Sequence, residues 1–101
     1  MASYRLSPSA RDDLGVIHSY IAEDDVEIAD LFIDDVVLRL RMLAENPKAG
    51  RVWDRSPHER RVFPFKRYLI FYLEAENDIE VYRILHSARD IDSILDSDYE
   101  N

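Results

Sequence analysis

Basic side chains that could act on a phosphate group are concentrated in the second half of the 101-residue chain. Arginine binds phosphate or carboxylate through two parallel hydrogen bonds, and histidine titrates near neutral pH and can transfer a proton. Together they would suit cleavage of RNA by its own 2′-hydroxyl, with arginine on the scissile phosphate and histidine moving the proton. The residues concerned are Arg60, Arg61, Lys66, Arg67, Arg83, His86 and Arg89.

The strand that is predicted to carry Arg83 and His86 argues against this shared site. On a regular strand Arg83 lies on the face of Val81, whereas His86 lies on the opposite face with Tyr82 and Ile84. The two side chains then point to opposite sides of the sheet unless the backbone bends. The alternative interpretation is structural, with Arg83 paired to an acidic residue and His86 at the end of a strand. The residues alone leave both interpretations open.

Most other catalytic and metal-binding patterns are absent from the sequence. It has no cysteine, no H-E-x-x-H, no Walker loop and no G-x-G-x-x-G, and its histidines, at positions 18, 58 and 86, are widely separated. We therefore predict no catalytic residue, no metal site and no cofactor. Adjacent acids do not form an acid–base dyad, because neighbours on a helix point about 100° apart. We interpret as solvated helix edges the pairs Asp12–Asp13, Asp24–Asp25 and Asp34–Asp35.

Charge is distributed unevenly along a chain whose net charge is −8. Residues 11–45 hold three arginines and ten acids, residues 48–67 hold seven basic residues and two acids, and residues 90–101 hold five acids and no base. A net charge of this sign repels nucleic acid, which disfavours direct sequence-specific binding of DNA or RNA. The basic middle segment is either a binding feature or ordinary solvated surface.

The first half of the chain predicts an α-helical hairpin. Ser7 and Pro8 are typical of a helix start, and apolar residues recur at helical spacing from residue 10 to residue 21. This first helix is expected to run to about Ala22 or Glu23. A second helix is expected from about residue 26 to residue 45, where it is apolar on more than one side. The short link between the helices predicts an antiparallel pair, and Pro47 prevents continuation of the second helix.

The remaining segments predict strands on an α+β domain. The alternating residues 3–7 form a short N-terminal strand, residues 51–60 form a loop, and a three-stranded antiparallel meander covers 60–65, 67–75 and 79–85. Pro64 indicates a strand at an edge or at its end. The order is β-α-α-β-β-β, with the helical hairpin on one face of a mainly antiparallel sheet. The expected sheet core is Leu69, Ile70, Phe71, Val81, Ile84 and Leu85.

Length and composition predict a single domain over residues 1–95. Residues 90–95 are expected to form a last helical turn, and the acidic tail 96–101 is a candidate for disorder. The N-terminal residues lack the apolar core of a signal peptide, and the apolar run 68–73 is far shorter than the roughly 20 residues of a membrane span. We expect a soluble, cytoplasmic protein.

Four segments in this order resemble the ParE branch of the RelE/ParE toxins of bacterial type II toxin–antitoxin modules. They are YRLSPSARDDL, FIDDVVLRLRMLAENPKAGR, RRVFPFKRYLIFY and VYRILHSARD, and the resemblance covers residues 4 to about 95. The fold that it implies has the strand and helix order predicted above. Resemblance to ParE in particular rests on R-x-L-H-x-A-R-D over 83–90 and on N-P…G-R over 46–51. The family often has glycine where Lys66 and Ser87 stand in this chain.

The resemblance implies a toxin whose mechanism depends on the branch. The RelE branch cuts mRNA in the ribosomal A site, whereas the ParE branch is known for poisoning DNA gyrase by protein–protein binding. RelE-type nucleases tend to be strongly basic, so the net charge of −8 also favours ParE. We expect a gyrase inhibitor that is not an enzyme. Two alternatives stay open: a RelE-like ribosome-dependent mRNA endoribonuclease, and a family member with another or an attenuated target.

The resemblance also implies a ParD-like antitoxin as partner. The basic segment 48–67 would suit an acidic part of the antitoxin, and the surplus apolar residues of the second helix would suit an amphipathic part. The predicted toxin face consists of Arg61, Arg67, Arg83, His86 and Arg89. The predicted antitoxin-binding residues are Leu31, Leu38, Met42, Arg51, Trp53 and Arg55.

Overall fold

The computed structural model describes residues 2–54 and 59–100, with side chains up to residue 96. The N-terminal strand β1 (Ser3–Leu6) is followed by helices α1 (Pro8–Ala22) and α2 (Val26–Glu45). Four strands come next: β2 (Arg51–Asp54), β3 (Arg60–Phe65), β4 (Tyr68–Ala75) and β5 (Asp78–His86). Helix α3 (Ile91–Glu100) ends the described chain.

The two helices of the hairpin begin at capping residues that the sequence supplies. The Ser7 hydroxyl accepts the Ala10 N–H at 3.0 Å, and Pro8 occupies the first helical turn. At the start of α2, the Asp25 carboxylate accepts the Ile28 N–H at 3.1 Å. Each cap satisfies an N–H that has no partner within its helix. The predicted bounds of both helices are confirmed.

The strands form one mixed sheet in the order β1-β5-β4-β3-β2. Strand β1 pairs with β5 in parallel, and the other neighbours are antiparallel. The predicted α+β fold, with a helical hairpin against a mainly antiparallel sheet, is confirmed. Strand β4 is central, as its continuous apolar sequence predicts, and its residues Ile70, Phe71 and Tyr72 are fully buried.

The prediction of a loop over residues 51–60 is wrong at its start, because residues 51–54 form strand β2. Arg51 pairs with Val62 and Val52 with Arg61, and the register shifts before Asp54. A four-residue edge strand is too short to show alternation in the sequence. Pro64 lies beyond Val62, the last residue of β3 that pairs with β2, so its missing N–H leaves the β2–β3 pairing intact.

The C-terminal helix is longer than the single turn predicted for residues 90–95. Helix α3 continues to Glu100 and therefore includes the backbone of residues 96–100, which the sequence made a candidate for disorder. Its residues Ile91 and Leu95 are buried against the sheet, an interaction that local sequence does not reveal. The domain boundary at residue 95 stays a prediction, and Asn101 lies outside the described residues.

The core consists of two clusters, one on each face of the sheet. Between the hairpin and the sheet lie buried residues that include Phe32, Val36, Leu40, Leu43, Phe65, Ile70, Tyr72, Ile79, Val81 and Ile84. The opposite face holds Val62, Phe71, Leu85, Ile91 and Leu95, with Trp53 packed against them. Of the predicted core residues, Leu69 is only partly buried, and the other five are at most 2% exposed.

A β-bulge in β5 changes which side chains share a face. The consecutive β4 residues Phe71 and Tyr72 pair with residues 83 and 81, so Tyr82 is an extra residue. As a result Val81 and Ile84 both belong to the helix-side cluster, whereas Tyr82 packs with the opposite cluster. The regular-strand prediction, which placed Tyr82 on the face of Ile84, is wrong because the bulge resets the alternation.

Candidate functional site

A groove of about 600 Å³ opens where the hairpin meets the end of the sheet. It is bounded by α1, by α2, by the turn between β3 and β4, and by the end of β5. Its apolar and aromatic wall includes Val16, Tyr20, Phe32 and Tyr68, and its basic rim consists of Lys66, Arg67, His86 and Arg89. The wall can take up apolar or aromatic groups, and the rim can bind carboxylates or phosphates.

An ion pair between α1 and β5 fixes the floor of the groove. The Asp13 carboxylate accepts hydrogen bonds from Arg83 Nε at 2.8 Å, from Arg83 Nη2 at 2.9 Å and from the Ile84 N–H at 2.9 Å. Strand β1 pairs with β5 only as far as Val81, and Asp13 satisfies a backbone donor of β5 beyond that point. The side chains of Arg83 and Asp13 are 14% and 11% exposed, so this pair is largely shielded from water.

The contacts of Arg83 and Asp13 decide two sequence-based interpretations. The structural alternative for Arg83, a pair with an acid, matches the observed geometry. The interpretation of Asp13 as a solvated helix edge is wrong, because the first turns of α1 pack against β5 and bring its carboxylate onto the strand. Asp25 and Asp35 also have specific roles, the first as a helix cap and the second as a partner of Lys66.

His86 is held at the end of β5 by its backbone neighbour and by an aromatic ring. Its Nδ1 accepts the Ala88 N–H at 3.0 Å, and its ring meets Tyr68 edge-to-face with the centroids 5.3 Å apart. A nitrogen that accepts a hydrogen bond carries no proton, so the neutral ring has its proton on Nε2. Burial raises the pKa of the Tyr68 hydroxyl, with Tyr20 adding to the effect, so this phenol stays neutral at physiological pH.

Lys66 adopts a backbone conformation that favours glycine. Its φ of 55° lies in the left-handed region, at the turn between β3 and β4. The side chain reaches α2, where Nζ lies 3.3 Å from the Asp35 carboxylate and 5.6 Å from the centre of the Phe32 ring. Lysine at this position therefore connects the turn to α2, which glycine would leave unconnected.

The structure brings together three of the five residues of the predicted toxin face. Arg67, His86 and Arg89 line the groove, and Arg83 is held by Asp13 beside it. Arg61 lies elsewhere on the sheet, where it donates to the Gly50 carbonyl at 2.7 Å. The sequence-based list lacked residues of the groove because nothing local marks them as neighbours of Arg67: Asp13, Val16, Tyr20, Phe32 and Tyr68.

The predicted antitoxin-binding residues are distributed over both sides of the sheet. Leu31 and Leu38 are exposed on α2, where Met42 packs against the helix-side core. On the other side, the Trp53 ring meets Phe71 edge-to-face at 5.3 Å. The Arg51 guanidinium lies 5.4 Å from the centre of the Trp53 ring, and Arg55 lies outside the described residues. The hairpin residues and the β2 residues therefore do not form one continuous surface.

Tyr72 holds the segment that joins α2 to the sheet. Its buried hydroxyl donates to the Pro47 carbonyl at 2.7 Å and accepts the Gly50 N–H at 2.9 Å. Burial raises the pKa of Tyr72, although the Gly50 N–H and the Arg61 charge act in the opposite direction. A Cβ at Gly50 would lie 2.6 Å from the Tyr72 oxygen and 2.9 Å from the Val62 carbonyl oxygen, so only glycine fits without movement.

The described part of the chain contains neither a cluster of metal ligands nor a membrane-spanning helix. Over residues 2–54 and 59–96, no three histidine or carboxylate side chains come together as metal ligands. Within the same described part, no helix has both the length and the apolar character needed to cross a membrane.

Comparisons with known proteins agree with this architecture. A family model described as the ParE toxin of the type II toxin-antitoxin system, parDE, matches residues 4–91. A similar solved structure, described as the chromosomal ParDE TA system from P. aeruginosa, is 23% identical, with a TM-score of 0.69. The alignment covers 85% of this chain and 96% of that chain, and it supports the shared fold. No curated protein matches this chain.

Proposed function

The chain belongs to the ParE toxin family of type II toxin–antitoxin systems, and from that premise we propose that it inhibits DNA gyrase by protein–protein binding and is neutralised by a ParD-like antitoxin. Both partners would meet it in the cytoplasm. Gyrase is the target that the resemblance to the ParE branch implies. In this proposal the toxin carries out no chemical step of its own, and the groove docks onto the target.

The observation that carries the docking role is the composition of the groove. Val16 and Tyr20, one turn apart on α1, are 70% and 71% exposed, and they continue the apolar wall of the groove as an exposed patch. Arg67 and Arg89 stand at the rim beside this wall. An aromatic wall with a basic rim is the composition of a protein-binding surface that takes an acidic segment with apolar anchors.

The ion pair of Arg83 also favours binding over cleavage. For RNA cleavage, the sequence-based hypothesis placed an arginine on the scissile phosphate and His86 as the proton carrier. Arg83 already makes two hydrogen bonds to Asp13 and is largely buried, so a phosphate would have to displace a carboxylate. This cost disfavours Arg83 as a phosphate ligand.

The test is a supercoiling and DNA-cleavage assay with purified gyrase and two charge-reversal variants. We expect the wild-type chain to inhibit gyrase, and Arg67→Glu with Arg89→Glu to weaken inhibition at least about tenfold, because rim charges become repulsive. The matched control, Arg11→Glu with Lys48→Glu, changes the net charge equally at exposed positions outside the groove and should keep inhibition. A folded wild-type chain without effect on gyrase would contradict the proposal.

The endoribonuclease remains a second candidate because His86 shares the groove with two arginines. In that case His86→Ala should abolish ribosome-dependent mRNA cleavage, since the proton carrier is lost. Under the gyrase proposal the same variant keeps most of its inhibition, and the wild-type chain cleaves no mRNA. The pair of assays therefore separates the two functions.

A further inference from the structure

The tip of the helical hairpin is itself an acidic segment with apolar anchors. Residues 23–28, EDDVEI, comprise the link between α1 and α2 and the first residues of α2, and all six are exposed. They carry four carboxylates and two large apolar side chains, Val26 and Ile28, which are 58% and 52% exposed. This segment, the hairpin tip, therefore has the composition that suits the groove, with acids for its basic rim and apolar groups for its wall.

The backbone of the hairpin tip is fixed before any partner binds. The N–H groups of Asp24 and Asp25 both donate to the Ile21 carbonyl at 3.1 Å. Close to the tip, His18 Nε2 lies 2.8 Å from the Asp30 carboxylate and joins α1 to α2. A segment that is already ordered loses little conformational entropy on docking. The same hydrogen bonds prevent the tip from folding back onto its own groove.

Charges of opposite sign are available at the tip and at the rim. Glu23, Asp24 and Glu27 are exposed at the tip, and Arg67 and Arg89 are exposed at the rim. Within the described residues, none of these five side chains takes part in an ion pair. Carboxylates of the tip can therefore pair with the two arginines without first breaking an existing bridge.

The acids near the groove leave the charge of Arg67 largely uncompensated. These acids and their partners are Asp13 with Arg83, Asp35 with Lys66, and Asp90 with the Ser93 N–H at 3.5 Å. Lys66 is therefore engaged already, and Asp90, which follows Arg89 in the chain and is exposed, lowers the positive charge on that side of the rim. Arg67 is accordingly the cation of the rim that meets an incoming acid with the least competition.

We propose that two copies of this chain form a two-fold dimer in which the hairpin tip of each copy docks in the groove of the other. Val26 and Ile28 cover the apolar wall, and the tip carboxylates meet Arg67 and Arg89. Tip and groove are neighbours on one molecule, because Tyr20 of the wall lies only three residues before the tip. A two-fold axis therefore closes both contacts at once, and the assembly stops at two copies.

The net charge of −8 on each copy does not prevent this contact. At physiological salt the Debye length is about 8 Å, so repulsion between distant charges is screened and contacts over a few ångströms decide. Helix α3 of a second copy is a poorer occupant of the groove. It is acidic too, but its residues Ile91 and Leu95 are buried against its own sheet and cannot anchor it.

The dimer has a regulatory consequence, and this part of the inference rests on the proposed function. Tip docking covers the groove, which is the surface that the proposed function assigns to gyrase. The toxin face is therefore masked in the dimer and free in the monomer, so dilution activates the toxin. The dimer itself rests only on the chemistry of the tip and the groove.

The experiment is sedimentation velocity of the toxin alone, at about 0.15 M salt and from about 1 μM to about 1 mM protein. We expect wild type to pass from monomer to dimer in this range. Asp24→Lys with Glu27→Lys, the tip variant, and Arg67→Glu with Arg89→Glu, the rim variant, should each dimerise at least about tenfold more weakly, because like charges meet.

An equal mixture of the tip variant and the rim variant should restore the dimer. Each of its two contacts again pairs opposite charges, and both chains keep a net negative charge, so general attraction cannot explain the rescue. The control Glu74→Lys with Glu76→Lys makes the same charge change at the end of β4 away from the groove and should dimerise like wild type. A monomeric wild type, or a mixture no tighter than the single variants, would overturn the proposal.

An uncharged variant tests the apolar part of the contact. Ile28→Gln should weaken the dimer several-fold, because it removes an anchor from the wall. The control Leu38→Gln changes another exposed apolar residue of α2, about 15 Å further along the helix, and should keep wild-type association. Circular dichroism melting verifies that every variant is folded. Equal dimerisation of wild type and Ile28→Gln would contradict docking of the tip on the wall.

The same proteins separate failure of the dimer from failure of the proposed function. A wild-type chain that inhibits gyrase but stays monomeric would overturn the dimer and leave the function standing. A dimeric chain that never affects gyrase would have the opposite meaning. The tip variant keeps an intact groove and should inhibit gyrase more strongly than wild type at concentrations where wild type is dimeric. Weaker inhibition by the tip variant would contradict masking.

Discussion

Asp13 is the residue on which the geometry of the groove floor depends. Asp13→Ala would leave the Arg83 guanidinium and the Ile84 N–H without the carboxylate that binds both. We expect the free energy of unfolding, measured by urea denaturation, to fall by about 3–5 kcal/mol, as for other largely buried pairs that lose one partner. The exposed neighbour Asp12 is the control. Asp12→Ala should change the free energy of unfolding by less than about 0.5 kcal/mol.

A double-mutant cycle shows whether the loss comes from the ion pair. In Asp13→Ala with Arg83→Ala, the unpaired charge is gone, so the double variant should be more stable than the sum of the single effects predicts. Strict additivity of the two changes would contradict a direct interaction between Asp13 and Arg83.

The raised pKa of Tyr72 predicts a loss of stability in alkali. Burial favours the neutral phenol, so the folded state retains its proton at a pH where the unfolded chain has lost it. The stabilisation that comes from the neutral Tyr72 phenol is therefore fully present below the unfolded pKa of about 10, and it is lost as the pH rises through the folded pKa. Urea denaturation from about pH 8 to about pH 11 measures this effect. The free energy of unfolding should fall less steeply with pH for Tyr72→Phe than for wild type. Parallel curves would contradict the role of burial.

At the residue scale, sequence reasoning identifies residue types better than partners. The sequence predicts Arg67, His86 and Arg89 for the toxin face because basic residues cluster near predicted strand ends, and the structure places all three at the groove. The role of Asp13 was not found, because its partner Arg83 is 70 positions away in the chain. The family that the chain resembles often has glycine at the position of Lys66. The φ of 55° at Lys66 explains that preference, because glycine adopts positive φ at no steric cost.

Among the elements, α3 depends most on tertiary contacts. It buries Ile91 and Leu95 on the sheet face that also holds Phe71, and its remaining side chains are mostly polar or acidic. Leu95→Ala should lower the free energy of unfolding by about 2–5 kcal/mol, because it leaves a cavity against the sheet. Ser93→Ala, at an exposed position of the same helix, should have an effect below about 0.5 kcal/mol. If Leu95→Ala and the wild-type chain are equally stable in thermal or urea unfolding, α3 does not cover the sheet in solution.

Elements with strong local signals were predictable, and those that depend on distant neighbours were not. Helices α1 and α2 have caps and helical periodicity, so their bounds follow from residues within each segment. Strand β2 exists because β3 offers it a partner, and the bulge at Tyr82 arises from the pairing of two strands. Neither feature has a signature within its own few residues.

At the scale of the whole molecule, charge is organised by face and not by segment. The basic rim combines Lys66 and Arg67 from the basic middle segment with His86 and Arg89 from the end of β5. Arg51, in that same basic segment, lies with Trp53 on strand β2, away from the groove lining. The sequence showed a basic stretch, but only the folded sheet decides which of its side chains converge.

The separation of the groove from the leucines of α2 predicts that the two proposed activities can be lost independently. Leu31→Asp with Leu38→Asp should weaken antitoxin binding by at least about tenfold while changing the melting temperature of the free toxin little, since both leucines are exposed. Arg67→Glu with Arg89→Glu should abolish growth arrest and keep antitoxin affinity. Calorimetric titration with the antitoxin and growth after induction measure the two effects. If the leucine variant unfolds, or if both variants lose both activities, the surfaces are not separate.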